Sequence, residues 1–409
     1  MKKILPVLLF SLLVIQCAGP KRVYKRTSDT YSQSEKNIRV LLNDSFSGKL
    51  SFKVPVNAYS SPENSISVSA GQTLTVRNTS SGIIISSGSR SITGDRFTIE
   101  PDLFNDLLDL KGRQYRGSFV LQLFKGNICL INYLDIEDYL KSVIYSEMGV
   151  ASGDEDFEAL KAFAVCIRNY TVMKQKENRK SVFDVYGDKR DQVYSGFESE
   201  KGYTNRAIIE TRGLVLEYNG QPAKTFYFAS CGGFTEDCDN VFREKGVDYL
   251  CGVQDGGEHA NCSISPSFSW KEEYTSEQIV KMLYEGKYIS SKACAVENIS
   301  VKSRYHSGRV NELEIILSDG SDKKKVILVG NLIRYVIKSQ KNGSLLKSTM
   351  FQVETQRNRD SIRKITIIGK GNGHGVGFCQ WGAIGLSRQG KEFDEILYTY
   401  FPGTRLEKI

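Results

Sequence analysis

The chain reads as an α+β protein, with an N-terminal antiparallel β domain followed by a mixed α/β core. Three observations predict this. Short runs in which apolar and polar residues alternate with period two fill 38–131. At Asp135 the apolar residues switch to helical spacing. Beyond 187, strand-like and helix-like segments are mixed, and 409 residues exceed what one hydrophobic core usually holds. The expected organisation is a leader over 1–17, a tether over 18–37 and a β-rich domain over 38–131. A core over 132–265 follows, and an α+β part over 266–409 completes it.

Lys2 and Lys3 precede an apolar run from Ile4 to Ile15 and then Gln16-Cys17, the pattern of an export signal. The run is too short to span a bilayer. Its cysteine resembles the lipobox of bacterial lipoproteins, which implies a lipid on Cys17 and membrane anchoring on the outer side, facing the periplasm or cell wall. Val14-Ile15-Gln16 departs from the usual lipobox residues. The segment from Ala18 to Lys36 is polar and aperiodic and reads as a flexible tether.

In the β-rich stretch the expected strands centre on Ile38-Arg39-Val40, Lys49 to Val54, Ile66 to Val68, Leu74 to Val76, Ile83 to Ile85, Phe97 to Ile99 and Ser118 to Phe124. Asp135 is placed to cap a helix with Ile136, Tyr139, Leu140, Val143 and Ile144 on one face, ending at Gly149. A second helix is expected over Glu155 to Lys174, burying Leu160, Phe163, Ala164, Ile167 and Thr171. Strands are expected at Gly213 to Tyr218, Thr225 to Phe228, Ile299 to Val301, Val310 to Leu317, Phe351 to Val353 and Ile365 to Ile368. Helices are expected at Ser276 to Tyr284, at Val329 to Lys338 and around Trp381 and Leu386.

Composition narrows the function. Apolar residues make 40% and charged residues 25%, ordinary globular usage that argues against wholesale disorder and against a polytopic membrane protein. The net charge of +8 is mild and dispersed, without the basic face of a nucleic-acid binder. Three histidines, His259, His306 and His374, leave little room for a histidine-based metal centre. The run Gly371 to Gly377 lacks the Gly-Lys-Ser/Thr end of a phosphate loop; its glycines suit a close-packed turn presenting His374. No G-x-S-x-G elbow is present. Cys231, Cys238, Cys251 and Cys262, with His259, form a cluster for which a structural zinc and disulfides both stay open. Cys129, Cys166, Cys294 and Cys379 are scattered and read as buried thiols.

Two segments carry a resemblance. Asp135-Ile136-Glu137-Asp138-Tyr139-Leu140 through Glu147-Met148, then Glu158-Ala159-Leu160-Lys161-Ala162 through Arg168-Asn169-Tyr170, resemble the signature of the stage II sporulation protein D (SpoIID/LytB) family. Gln192 to Gly196, Thr211 to Gly213, Ser230 to Thr235, Asp248 to Leu250, Ser307 to Val310, Leu346 to Phe351, Gly371 to Ala383 and Tyr400 to Thr404 follow in the family's order. The resemblance spans about Ile38 to the C-terminus and makes 132–265 the catalytic core, with a substrate groove.

The family's sporulation member is a peptidoglycan lytic transglycosylase, cutting between N-acetylmuramic acid and N-acetylglucosamine to leave 1,6-anhydro ends. Carried over, Glu147 is the catalytic acid, in a helix-end position that the dipole makes unfavourable for a charged carboxylate. Arg168, Gln192, Tyr194, Ser230, Gly233, His374 and Gln380 would line the glycan groove. A lone carboxylate suits intramolecular attack, since glycoside hydrolases usually use a pair. No cofactor is needed for that chemistry. The implied partners are peptidoglycan strands and a cell-wall amidase, whose activity other members modify. Gly149, Cys166, Ile167 and Cys379 depart from the family pattern, Cys379 standing where serine precedes Gln380. The alternative functions are a non-catalytic glycan binder and a metal-dependent wall hydrolase built on the cysteine cluster.

Overall fold

The computed structural model describes residues 36–242, 247–358 and 361–409. The leader, Cys17 and nearly all of the tether lie outside the described residues. No described helix is long and apolar enough to cross a membrane.

The alternating N-terminal runs form two sheets. One has seven strands in the order Val185–Tyr186, Asn37–Asn43, Asn127–Asp135, Ser118–Phe124, Arg96–Pro101, Val56–Tyr59 and Ser65–Val68; the other has four, in the order Gly48–Ser51, Thr73–Thr79, Gly82–Ser87 and Arg90–Gly94. Pairing is antiparallel throughout except for the two-residue strand Val185–Tyr186, which runs parallel to Asn37–Asn43. The inward residues, such as Ile38, Val40, Leu74, Val76, Ile83, Ile85, Phe97 and Ile99, are all buried. That is the outcome period-two patterning dictates for sheets with one wet face.

The strand Asn127–Asp135 runs directly into helix α1 (Ile136–Met148), whose first turn is capped by the Asp135 carboxylate accepting from Glu137 N at 2.8 Å. Helix α2 (Phe157–Glu177) starts two residues later than expected, because Asp154–Asp156 is a single 3₁₀ turn. Its expected apolar face is buried, and Asp156 at its start is held by Arg388 at 2.7 and 3.1 Å. α3 (Gly202–Glu210) and α4 (Cys238–Val241) are short.

The β sheets and α1–α3 share one continuous hydrophobic core, so the expected boundary at 131/132 is no boundary: it falls inside a strand whose side chains pack into the helices. The real division lies elsewhere. A second core gathers Trp270, Ile279, Leu283, Val310, Leu313, Ile315, Leu346 and Ile367. Around it stand the sheets Ser269–Tyr274/Ser361–Lys370/Phe351–Asn358 and Ala295–Arg304/Val310–Ser318/Lys323–Val329, with α5 (Ser276–Glu285) and α6 (Leu332–Val336). The helix expected at 329–338 shrinks to α6. Lys323–Val329 alternates in burial and pairs with Val310–Ser318, and Gly330, at φ 51°, turns the chain between the two.

Residues 371–409 then return to the first core with α7 (Gln380–Arg388), α8 (Phe393–Tyr400) and the strand Arg405–Lys408, which pairs with Leu214–Tyr218. The second lobe is therefore an insertion whose two connections, after Ser265 and before Gly371, pass side by side. Gly371 N donates to Phe268 O at 3.0 Å, and Asn372 bridges Ser230.

Candidate active site

Glu147 sits in the last turn of α1, where no basic residue offsets the helix dipole. Gly149 ends the helix as expected, but with φ −65° and ψ −1°, a right-handed conformation in which the glycine satisfies no left-handed requirement. The Glu147 carboxylate has one hydrogen-bond partner among the described residues, the Val193 N–H at 2.7 Å. Burial raises its pKa above the ordinary glutamate value, and the Val193 bond pulls it back only in part. The carboxyl is thus biased toward its protonated form without being sealed from solvent.

The loop after Gln192 clasps this helix end. Ser146 Oγ donates to Ser195 Oγ at 3.1 Å, and Ser195 N donates to Ser142 Oγ at 3.2 Å. From the other side Gln380 Nε2 donates to the Glu147 carbonyl at 3.0 Å. Beside Val193 and Ser195 opens a depression of about 470 Å³ that also carries Arg113, Lys189 and Arg190. A second, of about 440 Å³, continues it along Leu41, Phe46 and Tyr115.

The structure separates the expected groove residues into two kinds. Gln380 braces the Glu147 backbone, and Tyr194 walls both depressions with its ring, although its hydroxyl is committed to Asn132 Oδ1 at 2.8 Å. Arg168 is not a groove residue. It is 1% exposed, pairs with Glu137 through two bonds of 2.8 and 2.7 Å, and donates to Leu214 O at 3.1 Å. Gln192 is likewise sealed, its amide oxygen accepting from Tyr139 and Thr171 at 3.2 and 2.9 Å. Ser230 is buried, and its Oγ has no hydrogen-bond partner among the described residues. Gly233 adopts φ 116° in the turn that follows it.

His374 is a structural imidazole. Its Nδ1 accepts from Val376 N at 3.1 Å, so Nε2 carries the proton and donates to Tyr227 O at 3.0 Å. Burial among Phe226, Phe228 and Phe242 pushes its pKa down to about 3, which keeps the ring neutral and leaves it no free nitrogen for acid/base work.

The cysteines regroup as well. Cys231 and Cys262 do meet, with sulfurs 3.4 Å apart, but their companions are Asp255 and Cys379, all four buried and with ligand atoms within 4.8 Å of one another. Cys238, Cys251 and His259 stand outside this group, and His259 is exposed. None of the eight described cysteines is in a disulfide. Sequence spacing missed Asp255 and Cys379 because the turn after Gly233 and the return of the chain from the inserted lobe bring them in. It also missed Val193, which acts through its backbone and carries no side-chain signal.

A relative from Brachyspira hyodysenteriae, an uncharacterized protein, is 31% identical over 299 residues, covering 73% of this chain and 73% of its own length. The model described as stage II sporulation protein matches residues 125–218, which contain α1, α2 and Glu147. The chain belongs to the stage II sporulation protein D family. Two relatives from Bacillus subtilis are named for different roles. The stage II sporulation protein D is 26% identical over 293 residues, covering 68% of this chain and 76% of the relative. The amidase enhancer is 29% identical over 352 residues, covering 76% of this chain but only 47% of the relative. A domain of unknown function matches residues 236–377, which take in the inserted lobe and both strands of its neck.

Proposed function

We propose that the protein cleaves peptidoglycan glycan strands by lytic transglycosylation, with Glu147 as acid and then base. The observation that carries this reading is the state of Glu147: a carboxyl raised by burial, with one N–H donor and no cation at salt-bridge distance among the described residues. In the first half of the reaction the Glu147 proton passes to the glycosidic oxygen as the bond from C1 breaks, and the leaving sugar departs with its hydroxyl restored. In the second, the muramyl C6 hydroxyl attacks C1 and gives its proton to the Glu147 carboxylate, closing the 1,6-anhydro ring. The proton count balances and water takes no part, which is why one carboxyl suffices where hydrolysis usually needs two. On the rim Arg190 is paired with Asp188 at 2.7 Å, and Arg113 and Lys189 supply the positive charge that suits a strand carrying lactyl and stem-peptide carboxylates.

The name of one relative, amidase enhancer, supports a second reading in which this chain binds glycan and modifies a cell-wall amidase without cutting. Both readings place the protein outside the cytoplasm and anchored through Cys17, supported by the basic-then-apolar leader sequence. The experiment that separates them is mass spectrometry of intact and amidase-stripped peptidoglycan after incubation with wild type and Glu147→Gln. Anhydromuramyl ends made by the wild type alone establish the transglycosylase. No product from either substrate, with retained glycan binding, moves the assignment to the amidase-modifying role.

A further inference from the structure

We propose that Cys231, Cys262, Cys379 and Asp255 form a metal site of the kind that holds zinc, and that the ion fastens the neck of the inserted lobe behind Glu147. The donor set is compact. Cys231 Sγ lies 3.4 Å from Cys262 Sγ and 3.1 Å from Asp255 Oδ2, and all four ligand atoms fall within 4.8 Å of one another. Zinc–sulfur bonds of about 2.3 Å and zinc–oxygen bonds of about 2.0–2.2 Å make a tetrahedron with edges of roughly 3.5–3.8 Å. The group needs only small side-chain adjustments to reach that shape around a single ion. Three sulfurs and one carboxylate oxygen, with little imidazole in the chain, favour zinc over calcium or magnesium, which take oxygen ligands.

The surroundings of the four groups are those of ligated thiolates. Backbone N–H groups point at sulfur: Cys231 N at 3.2 Å and Gly382 N at 3.4 Å from Cys379 Sγ, and Gly233 N at 3.4 Å from Cys231 Sγ. Asp255 is aimed by three donors, Tyr400 OH at 2.8 Å and Asn261 Nδ2 at 3.3 Å on Oδ1, and Cys262 N at 3.0 Å on Oδ2. Such outer contacts orient metal ligands. A disulfide between Cys231 and Cys262 would leave Cys379 and its two N–H donors without a role. Four anionic ligands around a dication leave an excess of two negative charges, and the buried guanidinium of Arg309 stands behind Cys231 to offset one of them. Its Nη1 and Nη2 are fixed by the Phe234 and Cys231 carbonyls at 2.9 Å each.

The site's position gives it a task. Cys262 lies just before the chain enters the second lobe, Arg309 comes from that lobe, and Cys379 follows the return and caps α7. The residue after Cys379 is Gln380, which holds the Glu147 carbonyl. An ion here would tie three segments, up to 148 residues apart, into one platform.

The test uses the full-length chain, purified from zinc-supplied cells without chelator, with bound metal counted by plasma mass spectrometry. Cobalt(II) exchanged into the same chain serves as the spectroscopic probe of tetrahedral thiolate ligation. One zinc per chain is expected in the wild type and in Cys251→Ser and Cys294→Ser, with affinity at least ~10-fold weaker in Asp255→Asn and binding lost in Cys379→Ser. As a control independent of the folding of Cys379→Ser, the wild type is also stripped with chelator, and a fall in Tm that added zinc restores is expected. Absence of stoichiometric metal in the zinc-supplied wild type overturns the site, as does a Cys231–Cys262 disulfide in non-reducing peptide maps or metal retained in Cys379→Ser. A Tm unchanged by stripping overturns the fastening role. The readouts are metal and melting, so they stand apart from the transglycosylase reading.

Discussion

Helix α1 carries two glutamates, one in its first turn and one in its last, and they have opposite fates. Glu137 is 12% exposed and meets the Arg168 guanidinium through two bonds, with Gly213 N adding a third donor at 3.2 Å. Glu147 receives one N–H and no cation among the described residues, at the end of the helix that disfavours its charge. Same residue type, same helix, ten positions apart: the carboxylate paired with Arg168 ties α1 to α2, and the one without a cation has its pKa raised by burial. The difference lies in the partners that the fold supplies to one carboxylate and not to the other.

Exchanging the two roles tests this contrast. Glu147→Gln should lower anhydromuramyl product formation by roughly 100- to 10,000-fold while circular dichroism stays unchanged; turnover near the wild-type rate would remove Glu147 from the chemistry. Glu137→Ala should do the reverse. It leaves the Arg168 charge buried and unpaired, a loss of about 3–5 kcal/mol in urea unfolding. A stable Glu137→Ala protein that has lost all activity would mean that Glu137, and not Glu147, is the chemical residue.

The pH dependence sharpens the same point. A carboxyl whose folded pKa is raised binds its proton better in the native state, so its contribution to stability is full below the ordinary glutamate value of 4.5 and is lost as pH rises through the raised pKa. Above that window Glu147→Gln should melt higher than wild type, by roughly 1–3 °C, with the gain vanishing at lower pH. A lower Tm for the variant at neutral pH would show that the charge is stabilised in the fold. His374 has the opposite sign. Its pKa is pushed from 6.5 down to about 3 by burial, so the stability it supports is full above 6.5 and declines as pH falls toward 3. Replacing it with Gln should flatten that part of the acid-unfolding curve, and an unaltered slope would mean that another group governs it. The smallest effect is expected from Lys281→Ala, which breaks an exposed i,i+4 pair with Glu285 at 3.9 Å and should change stability by less than about 0.5 kcal/mol.

How much of this was legible beforehand differs from residue to residue. The alternating runs from Ile38 to Phe124 and the faces of α1 and α2 follow directly from apolar periodicity, because one-sided burial leaves a repeating mark. The Glu147 position was legible through family resemblance and through the helix-end pattern around it. Arg168 and Gln192 were misplaced for a physical reason: a motif shows that a polar residue is required, and a buried ion pair or amide network requires it as strictly as a substrate does.

By itself the sequence determined the α+β class, the course of most elements and the presence of one acid in a helix's last turn, since all of these are set by local period, capping and turn chemistry. Tertiary structure decided the rest. The single core joining sheets and helices, the inserted lobe, the Val193 N–H on Glu147 and the meeting of Cys231, Asp255, Cys262 and Cys379 all join residues far apart in the chain. Such meetings depend on how finished elements pack, and packing leaves no spacing in the sequence by which to read them.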